Sequence, residues 1–439
     1  MIRSLRTGVS GLKVNQVRMD VIGNNIANVN TAAFKRSRVA FNELLGQRLL
    51  GLGRSSGGSG INPASIGTGV AIGSVDQDWG QGTFEYTNVG TDLALSGDGY
   101  FIARGGDGNV LTRAGNFTFN ADGELVTAGG LPVQGWQYNA DGTLNTGQLQ
   151  NIRLDLELNA APKETANAGV GGNLSANLEA TPLVAAPGAQ PLDSQITMSQ
   201  VVYDGQGRAH TLVATFQKTD TNEWTVASAK LAGDPATALT VTMDGDPNAT
   251  PPVAAGTAVP AKVYFDSDGR LLDGPTAFSI GGADFPGTVG DDVDVTLDVA
   301  NLTQYGGSTT ATLSSQDGQA AGRLVGYGID PSGTLSLNFS NGEQRSVSKI
   351  AIAQVNNPNG LEQRGENFYG VTSAAGDLLV GRAGQEVNTA VVAGALESSN
   401  VDLANEFTDM IVTQRGYQAS ARVITTSDEL LQELVQLKR

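Results

Sequence analysis

The side chains that could do chemistry are few and scattered. His210 is the single histidine among 439 residues, so a Ser-His-Asp relay has one place to form, beside Asp204 or Asp220. It lies where a turn gives way to an alternating stretch, the ordinary setting for a surface histidine, and catalysis has little to build on there. One histidine and no cysteine exclude imidazole clusters, thiolate metal sites and disulfides. Asp266-Ser267-Asp268-Gly269 has the acid spacing that opens a calcium loop. At the far end, however, stand Ala277 and Phe278 where a bidentate Glu is required, and a turn between strands fits better. Gly105-Gly106-Asp107-Gly108 is followed by neither a helical pattern nor Lys-Ser/Thr, so it does not cradle a phosphate. The expectation is no catalytic residue, no metal and no cofactor: not an enzyme.

The informative residues are repeated ones. Ile2, Leu5, Val9, Leu12, Gln16, Met19, Gly23 and Ile26 alternate spacings of three and four, which keeps one narrow seam on a helix. Leu403, Phe407, Met410, Gln414, Tyr417, Ala421, Ile424, Asp428, Leu431 and Val435 do the same at the other end. Neither helix has a local core, and isolated helices are marginal in water. They need each other, or further copies of the chain. Residues 1–30 carry a net charge of +3 and residues 397–439 of −3, which favours pairing of the two over self-pairing of either. Gly8, Gly11, Gly416 and Ala419 would let backbones approach closely. The candidate assembly seam is Leu5, Leu12, Met19, Ile26, Leu403, Phe407, Met410, Tyr417, Ile424 and Leu431. The plainer alternative is a pair of terminal helices packed on one globular body.

Asp20-Val-Ile-Gly-Asn-Asn-Ile-Ala-Asn28, with Asn30-Thr31 and Phe34-Lys35, resembles the amino-terminal signature of the flagellar rod and hook axial proteins. Glu397-Ser-Ser-Asn-Val-Asp402, Met410-Ile-Val, Gln414-Arg415 and Tyr417-Gln418-Ala419 resemble the matching carboxy-terminal signature. One departure is visible. The family carries Gly before the Phe and this chain has Ala33, whose backbone is expected to be helical or extended because Ala tolerates positive φ poorly.

Composition supports a mainly β body between the helices. Glycine, 58 residues, is enriched without a collagen period, and charge is modest. Residues 1–54 carry +7 and the rest −24, so the body is unsuited to nucleic acid, whose phosphates need clustered Lys and Arg. Arg36, Arg38, Arg48 and Arg54 form at most a small basic patch, fit for a solvated face or an acidic neighbouring subunit. No apolar run reaches the roughly 18 residues of a membrane span, and no cleaved secretory signal is evident at 1–25.

Along the chain, Gly51–Gly60 has a flexible-linker composition. Strands are expected from Val70 onward. Leu93 and Leu95, Gly97-Asp98-Gly99, and Tyr100 and Ile102 are expected to form strand, tight turn, strand; Asp107-Gly108, Asp122-Gly123 and Asp141-Gly142 mark further hairpins. A second β region spans Val201–Tyr203, Thr211–Phe216, Trp224–Ala227, Lys262–Phe265 and Val293–Val299, with no order assumed for 232–261. A third holds Val325–Ile329, Thr334–Phe339, Ser346–Ala353 and Phe368–Val371. The pattern itself supports helix, β, β, β, helix. The resemblance implies discontinuous nested β domains on a coiled-coil-like pair of terminal helices: an axial helical domain (1–30 and 400–439), connecting segments (31–75 and 385–399), an inner β domain (76–160 and 317–384) and an inserted outer β domain (161–316).

Thr91–Phe101, Arg113-Ala-Gly-Asn-Phe117, Leu302-Thr-Gln-Tyr-Gly306 and Ser315-Gln-Asp-Gly318 place the likeness nearest the hook members of that family, and the long insertion agrees. The resemblance implies a structural subunit that polymerises with itself into a curved tube carrying torque from rod to filament. Implied partners are the rod, the hook cap, the hook–filament junction proteins and the flagellar type III export apparatus, with export lacking a cleaved signal. A distal rod subunit with an enlarged insertion remains the rival, and an extracellular β adhesin with helical stalk ends a more distant one.

Overall fold

In a computed structural model of the chain the described residues are 2–45, 47–50, 64–106, 108–139, 141–155, 157–181, 194–232, 238–246, 253–272, 276–284 and 292–436. The linker-like Gly51–Gly60 and Arg54 fall outside them. Two long helices, α1 (Ile2–Ala27) and α2 (Leu403–Gln436), stand at the ends of a chain otherwise built of strands. The helices pack on each other in antiparallel fashion. Asp402 caps α2, its carboxylate accepting the Ala404 and Asn405 amides at 2.9 and 3.3 Å, which satisfies donors that the first turn leaves free. No helix among the described residues is long and apolar enough to cross a membrane.

α1 unwinds through Asn28 into a turn at Ala33, and here an expectation fails. Ala33 is neither helical nor extended but left-handed, with φ of 58°. Its amide must reach the Glu397 carbonyl at 2.7 Å, while the Ala32 carbonyl accepts the Asn367 side chain at 2.9 Å. These bonds hold a backbone that costs an Ala about 1 kcal/mol. Strands also begin earlier than Val70. Ser37–Glu43 pairs antiparallel with Val70–Gln77, and Gln47–Leu50 with Ala64–Ile66.

The chain divides into two compact units. The first gathers residues 1–156, 326–337 and 344–439, so it holds both helices, the ribbon 37–77 and a β body. Its core contains Leu93, Leu95, Phe101, Phe117, Ile152, Leu335, Ile350 and Val391, with a second cluster around Tyr100, Ile102, Leu111, Trp136 and Tyr369. Two Asp-Gly positions do turn hairpins, Asp122-Gly123 between Thr118–Phe119 and Leu125–Val126 and Asp141-Gly142 between Gln134–Tyr138 and Leu144–Asn151; Tyr100–Gly105 also pairs with Gly108–Thr112, and Asp107 lies outside the described residues. Gly97-Asp98-Gly99 turns no hairpin. Leu93–Gly97 pairs with Thr389–Ala393 from the far end of the sequence, and Tyr100–Gly105 joins another sheet. Gly97 takes φ of 115°, and a Cβ there would lie 2.6 Å from the Asn388 carbonyl, so this glycine passes the chain between sheets. The run 346–353 likewise splits into Gln344–Ile350 and Ile352–Val355, in different sheets. Ile350, Ala351, Ile352 and Ala353 are all buried, so alternation carries no mark of the break.

The second unit comprises 157–325 and 338–343. Its main strands run in the order Gln195–Tyr203, Ala209–Asp220, Glu223–Leu231, Ala238–Asp246, Ala277–Asp284, Asp292–Thr303, Asn167–Asn173 and Thr312–Gln316. Asn167–Asn173 lies parallel to Asp292–Thr303, a pairing no hairpin can make. Ala238–Asp246 and Val253–Pro260 give strand structure to the stretch 232–261. Trp224, Phe216, Phe265, Phe278 and Leu297 fill the interior, the Trp224 indole donating to Gln304 at 2.9 Å. Asp266 turns its own loop by accepting the Asp268 and Arg270 amides.

His210 does lie beside Asp204, with Nε2 3.1 Å from Oδ2. The carboxylate is already occupied: Oδ2 also takes the Arg208 guanidinium at 2.8 Å, and Oδ1 the Gln206 and Arg208 amides. It is a turn clamp. Burial alone would raise its pKa, but the Arg208 amide, the His210 ring and the Arg208 guanidinium outweigh that and hold it at about 2. A depressed carboxylate adds stability that is complete above about pH 4 and is lost as pH falls toward 2. Between pH 5 and 2 the wild type should lose about 2 kcal/mol more than Asp204→Asn in urea unfolding followed by tryptophan fluorescence. Parallel pH profiles for the two proteins would contradict the clamp.

Candidate functional site

The two helices meet along a stripe of small and polar residues. Ser4 and Ser427 hydroxyls are 3.3 Å apart. A Cβ on Gly8 would lie 3.0 Å from Ile424, one on Gly11 2.8 Å from Ser420, and one on Gly416 3.2 Å from the Asn15 side chain. Further along, Arg18 pairs with Asp409 at 3.1 Å and Asn25 donates to Glu406 at 3.2 Å. Most of these contacts share one register: numbers in facing pairs sum to about 431, as antiparallel helices require. The glycines bring the backbones together, at a helix cost of about 1 kcal/mol each. Of the four small residues singled out in the sequence, Gly8, Gly11 and Gly416 lie at this contact and Ala419 is exposed.

The apolar seam lies on another stripe. Leu5, Leu12, Met19, Ile26, Met410 and Leu431 are only half-buried. Leu403, Phe407 and Tyr417 are exposed at 40, 50 and 39%. Ile424 is half-buried and reaches the in-chain contact, against Gly8. Among the described side chains α2 buries Glu406, Thr413 and Ser427 and no apolar residue at all. Ile411, Val412, Leu430 and Val435 are exposed by more than half.

Where the helices join the β body sits a buried charge cluster. Lys35, Arg113 and Glu397 side chains are 1, 4 and 0% exposed. Lys35 Nζ donates to Glu397 Oε1 at 2.6 Å and to the Gly80 carbonyl at 2.9 Å. The Gly82 amide donates to the same Oε1 at 2.8 Å, and Arg113 Nη1 reaches Oε2 at 3.4 Å. Arg113 also bonds the Gly97 carbonyl and lies over the Tyr100 ring. Burial pulls the Lys35 ammonium below its ordinary pKa in spite of its carboxylate partner, and pushes the Tyr100 phenol up. A second layer binds the helix roots: Asn25 brackets Ser37 through its carbonyl and amide, Arg36 faces Glu406 at 3.7 Å, and Asn400 accepts the Arg36 amide.

A cavity of about 460 Å³ beside the joint is lined by Asn28, Thr31, Asn116, Thr127, Glu366 and Asn367 among others, with Glu366 its single charged group. No cluster of metal-ligating side chains occurs among the described residues. The sequence reading missed the charge cluster although Lys35, Arg113 and Glu397 lie within the quoted signatures. Their separation along the chain, 362 residues between Lys35 and Glu397, leaves no local periodic signal. Of the polar helix stripe only the glycines stood out in the sequence; Ser4, Asn15, Ser420 and Ser427 continue it, but their polarity hides them beside the apolar repeat.

Helical ends pinned to a β body that carries an inserted β unit define an axial subunit of the bacterial flagellum, and family comparisons agree. Residues 5–35 match the flagella basal body rod protein model, 94–168 the flagellar hook protein FlgE/F/G D1 domain, 173–319 the flagellar basal body protein FlaE D2 domain, and 392–437 the carboxy-terminal domain of the flagellar basal body rod FlgEFG proteins. The flagellar hook proteins FlgE of Borreliella burgdorferi and Treponema pallidum are each 36% identical over the whole of both chains; that of Escherichia coli is 33% identical over 98% of each. The hook protein FlgE2 of Helicobacter pylori shares the fold, with a TM-score of 0.50 at 16% identity over 72% of this chain and all of that one. The chain belongs to the flagellar hook protein family, and its role is that of a hook subunit.

Glu397 is the keystone of the charge cluster. Glu397→Ala would leave two buried cations facing each other and should cost about 3–5 kcal/mol in denaturant unfolding. Replacing all three charges together by apolar residues of similar volume should cost far less. Equal losses in the two variants would show that packing, not charge, carries the joint.

Proposed function

We propose that the chain polymerises with copies of itself into the hook tube, and that the apolar helix stripes are the contacts between copies. The observation that carries this is the complete absence of buried apolar side chains from α2 among the described residues. A 34-residue helix with Leu403, Phe407, Ile411, Tyr417 and Val435 in water is unfinished. Its polar stripe is already occupied by α1, so the two stripes divide the work: small and polar within the chain, apolar between chains. Knobs-into-holes packing of the apolar stripes would resist twisting under torque. The chain acts mechanically and performs no catalysis. Its further partners are those that bound a hook, namely rod, cap, hook–filament junction and the export apparatus that delivers subunits without a cleaved signal.

Phe407→Asp and Met410→Asp each place a charge where a dry contact between copies is inferred, at a cost of several kcal/mol unless paired. Purified wild type should form tubes under conditions where both variants stay monomeric with unchanged circular dichroism. A strain lacking the gene should build a rod and no hook, whereas absence of the distal rod would favour the rod reading. Normal tubes from both variants would remove the seam.

The helix-bearing unit should suffice for tube formation, and the inserted β unit should tune tube shape. The insertion has its own core, and its ends are tied together, Lys163 and Gln319 exchanging backbone hydrogen bonds of 2.9 and 2.8 Å. Replacing 164–318 by a short Gly-Ser linker should therefore leave tubes that form but have lost native curvature under the electron microscope. Failure to form tubes, or tubes of unchanged curvature, would end this division of labour.

A further inference from the structure

α1 and α2 do not end together. With Ser4 against Ser427, the first helical residue Ile2 stands opposite position 429, and residues 430–436 of α2 run on past it. That overhang is two turns, about 10 Å. Leu430 and Val435 on it are 55 and 69% exposed. Glu429 and Glu433, one turn apart, are exposed and have no ion pair among the described residues. α1 carries the complement. Arg6 and Lys13, two turns apart, are also exposed and without ion pairs among the described residues, with exposed Val9 between them. Within one chain Arg6 stands opposite position 425, about 12 Å short of Glu433 along the axis, so those two do not pair.

Resting on the reading of the chain as a self-assembling subunit, we propose that the overhang of one copy docks on the Arg6–Lys13 flank of α1 in a neighbouring copy. Leu430 covers Val9, and Glu429 and Glu433, on the same side of α2 as Leu430, face Arg6 and Lys13. The neighbour's α1 then runs antiparallel to the overhang, as α1 does to α2 within the chain. The facing numbers now sum to about 442 in place of 431, a stagger of roughly 17 Å between copies. α2 thus holds its own α1 with its polar stripe and another copy's α1 with its last turns. The surfaces joined are different, so the contact can repeat head-to-tail along a polymer.

The chain has no cysteine, which gives a clean background for cross-linking. Glu433→Cys combined in turn with Arg6→Cys, Val9→Cys or Lys13→Cys should give, on oxidation of assembled tubes, a ladder of disulfide-linked oligomers from at least one pair. Dilute monomer should give none, since the in-chain separation exceeds the roughly 7 Å Cα limit of a disulfide. Ser4→Cys with Ser427→Cys is the control and should close within one chain. Tubes that form with the control bridge intact but with no ladder from any of the three pairs overturn the docking while leaving self-assembly standing. Wild type that forms no tubes overturns both. Charge reversal gives an independent reading. Glu433→Lys should raise the concentration needed for tubes about ten-fold, and adding Arg6→Glu should recover most of it. A double variant no better than the single, with helical circular dichroism unchanged, removes the ionic part of the contact.

Discussion

One carboxylate holds the ends of this chain to its middle. Glu397 accepts from Lys35, Arg113 and the Gly82 amide, in a site closed to water. The three side chains come from the exit of α1, the β body and the approach to α2. Such a cluster adds little net stability compared with apolar packing, because desolvation offsets most of the attraction. What it does add is position. A carboxylate that takes two cations and an amide fixes the direction from which each of the three segments approaches it. Around it the backbone accepts strain at Ala33 and close passage at Gly82, where any side chain would run into the Ser398 carbonyl.

The helix pair follows a related logic. A contact made of Ser, Gly, Asn and Thr is tight in geometry yet weak in hydrophobic drive, since it removes little apolar area from water. Pairing within the chain therefore rests on close approach and on the Arg18–Asp409 and Asn25–Glu406 contacts. The apolar stripe of α2 stays largely exposed in the single chain, Leu403 at 40% and Phe407 at 50%. If copies cover it as proposed, the stronger driving force falls on the step that builds the polymer.

The two β units are folded on different terms. The inserted unit has a contiguous core around Trp224 and closes its own ends, so it brings its stability with it. The helix-bearing unit depends on strands far apart in sequence: Leu93–Gly97 is completed by Thr389–Ala393, and Phe84–Tyr86 by Ala395–Glu397. Amino- and carboxy-terminal halves must both be present before that unit is whole, which couples the state of one helix root to the other.

What the residues declare alone is whatever is local or repeats. The helices were legible from the three-four spacing of apolar residues, and hairpins at Asp-Gly from turn chemistry. The absence of cysteine and the single histidine needed no more than counting, and family membership came from signatures at both ends. Tertiary structure decided what depends on distance. It turned Leu93–Gly97 away from its neighbour to a partner nearly 300 residues on, and forced Ala33 into a conformation its own side chain disfavours. It also chose the polar stripe over the apolar one for the in-chain helix contact. The physical reason is common to these cases. A buried hydrogen bond or ion pair between distant segments can outweigh a local preference of about 1 kcal/mol, and no periodicity records which distant group will supply it.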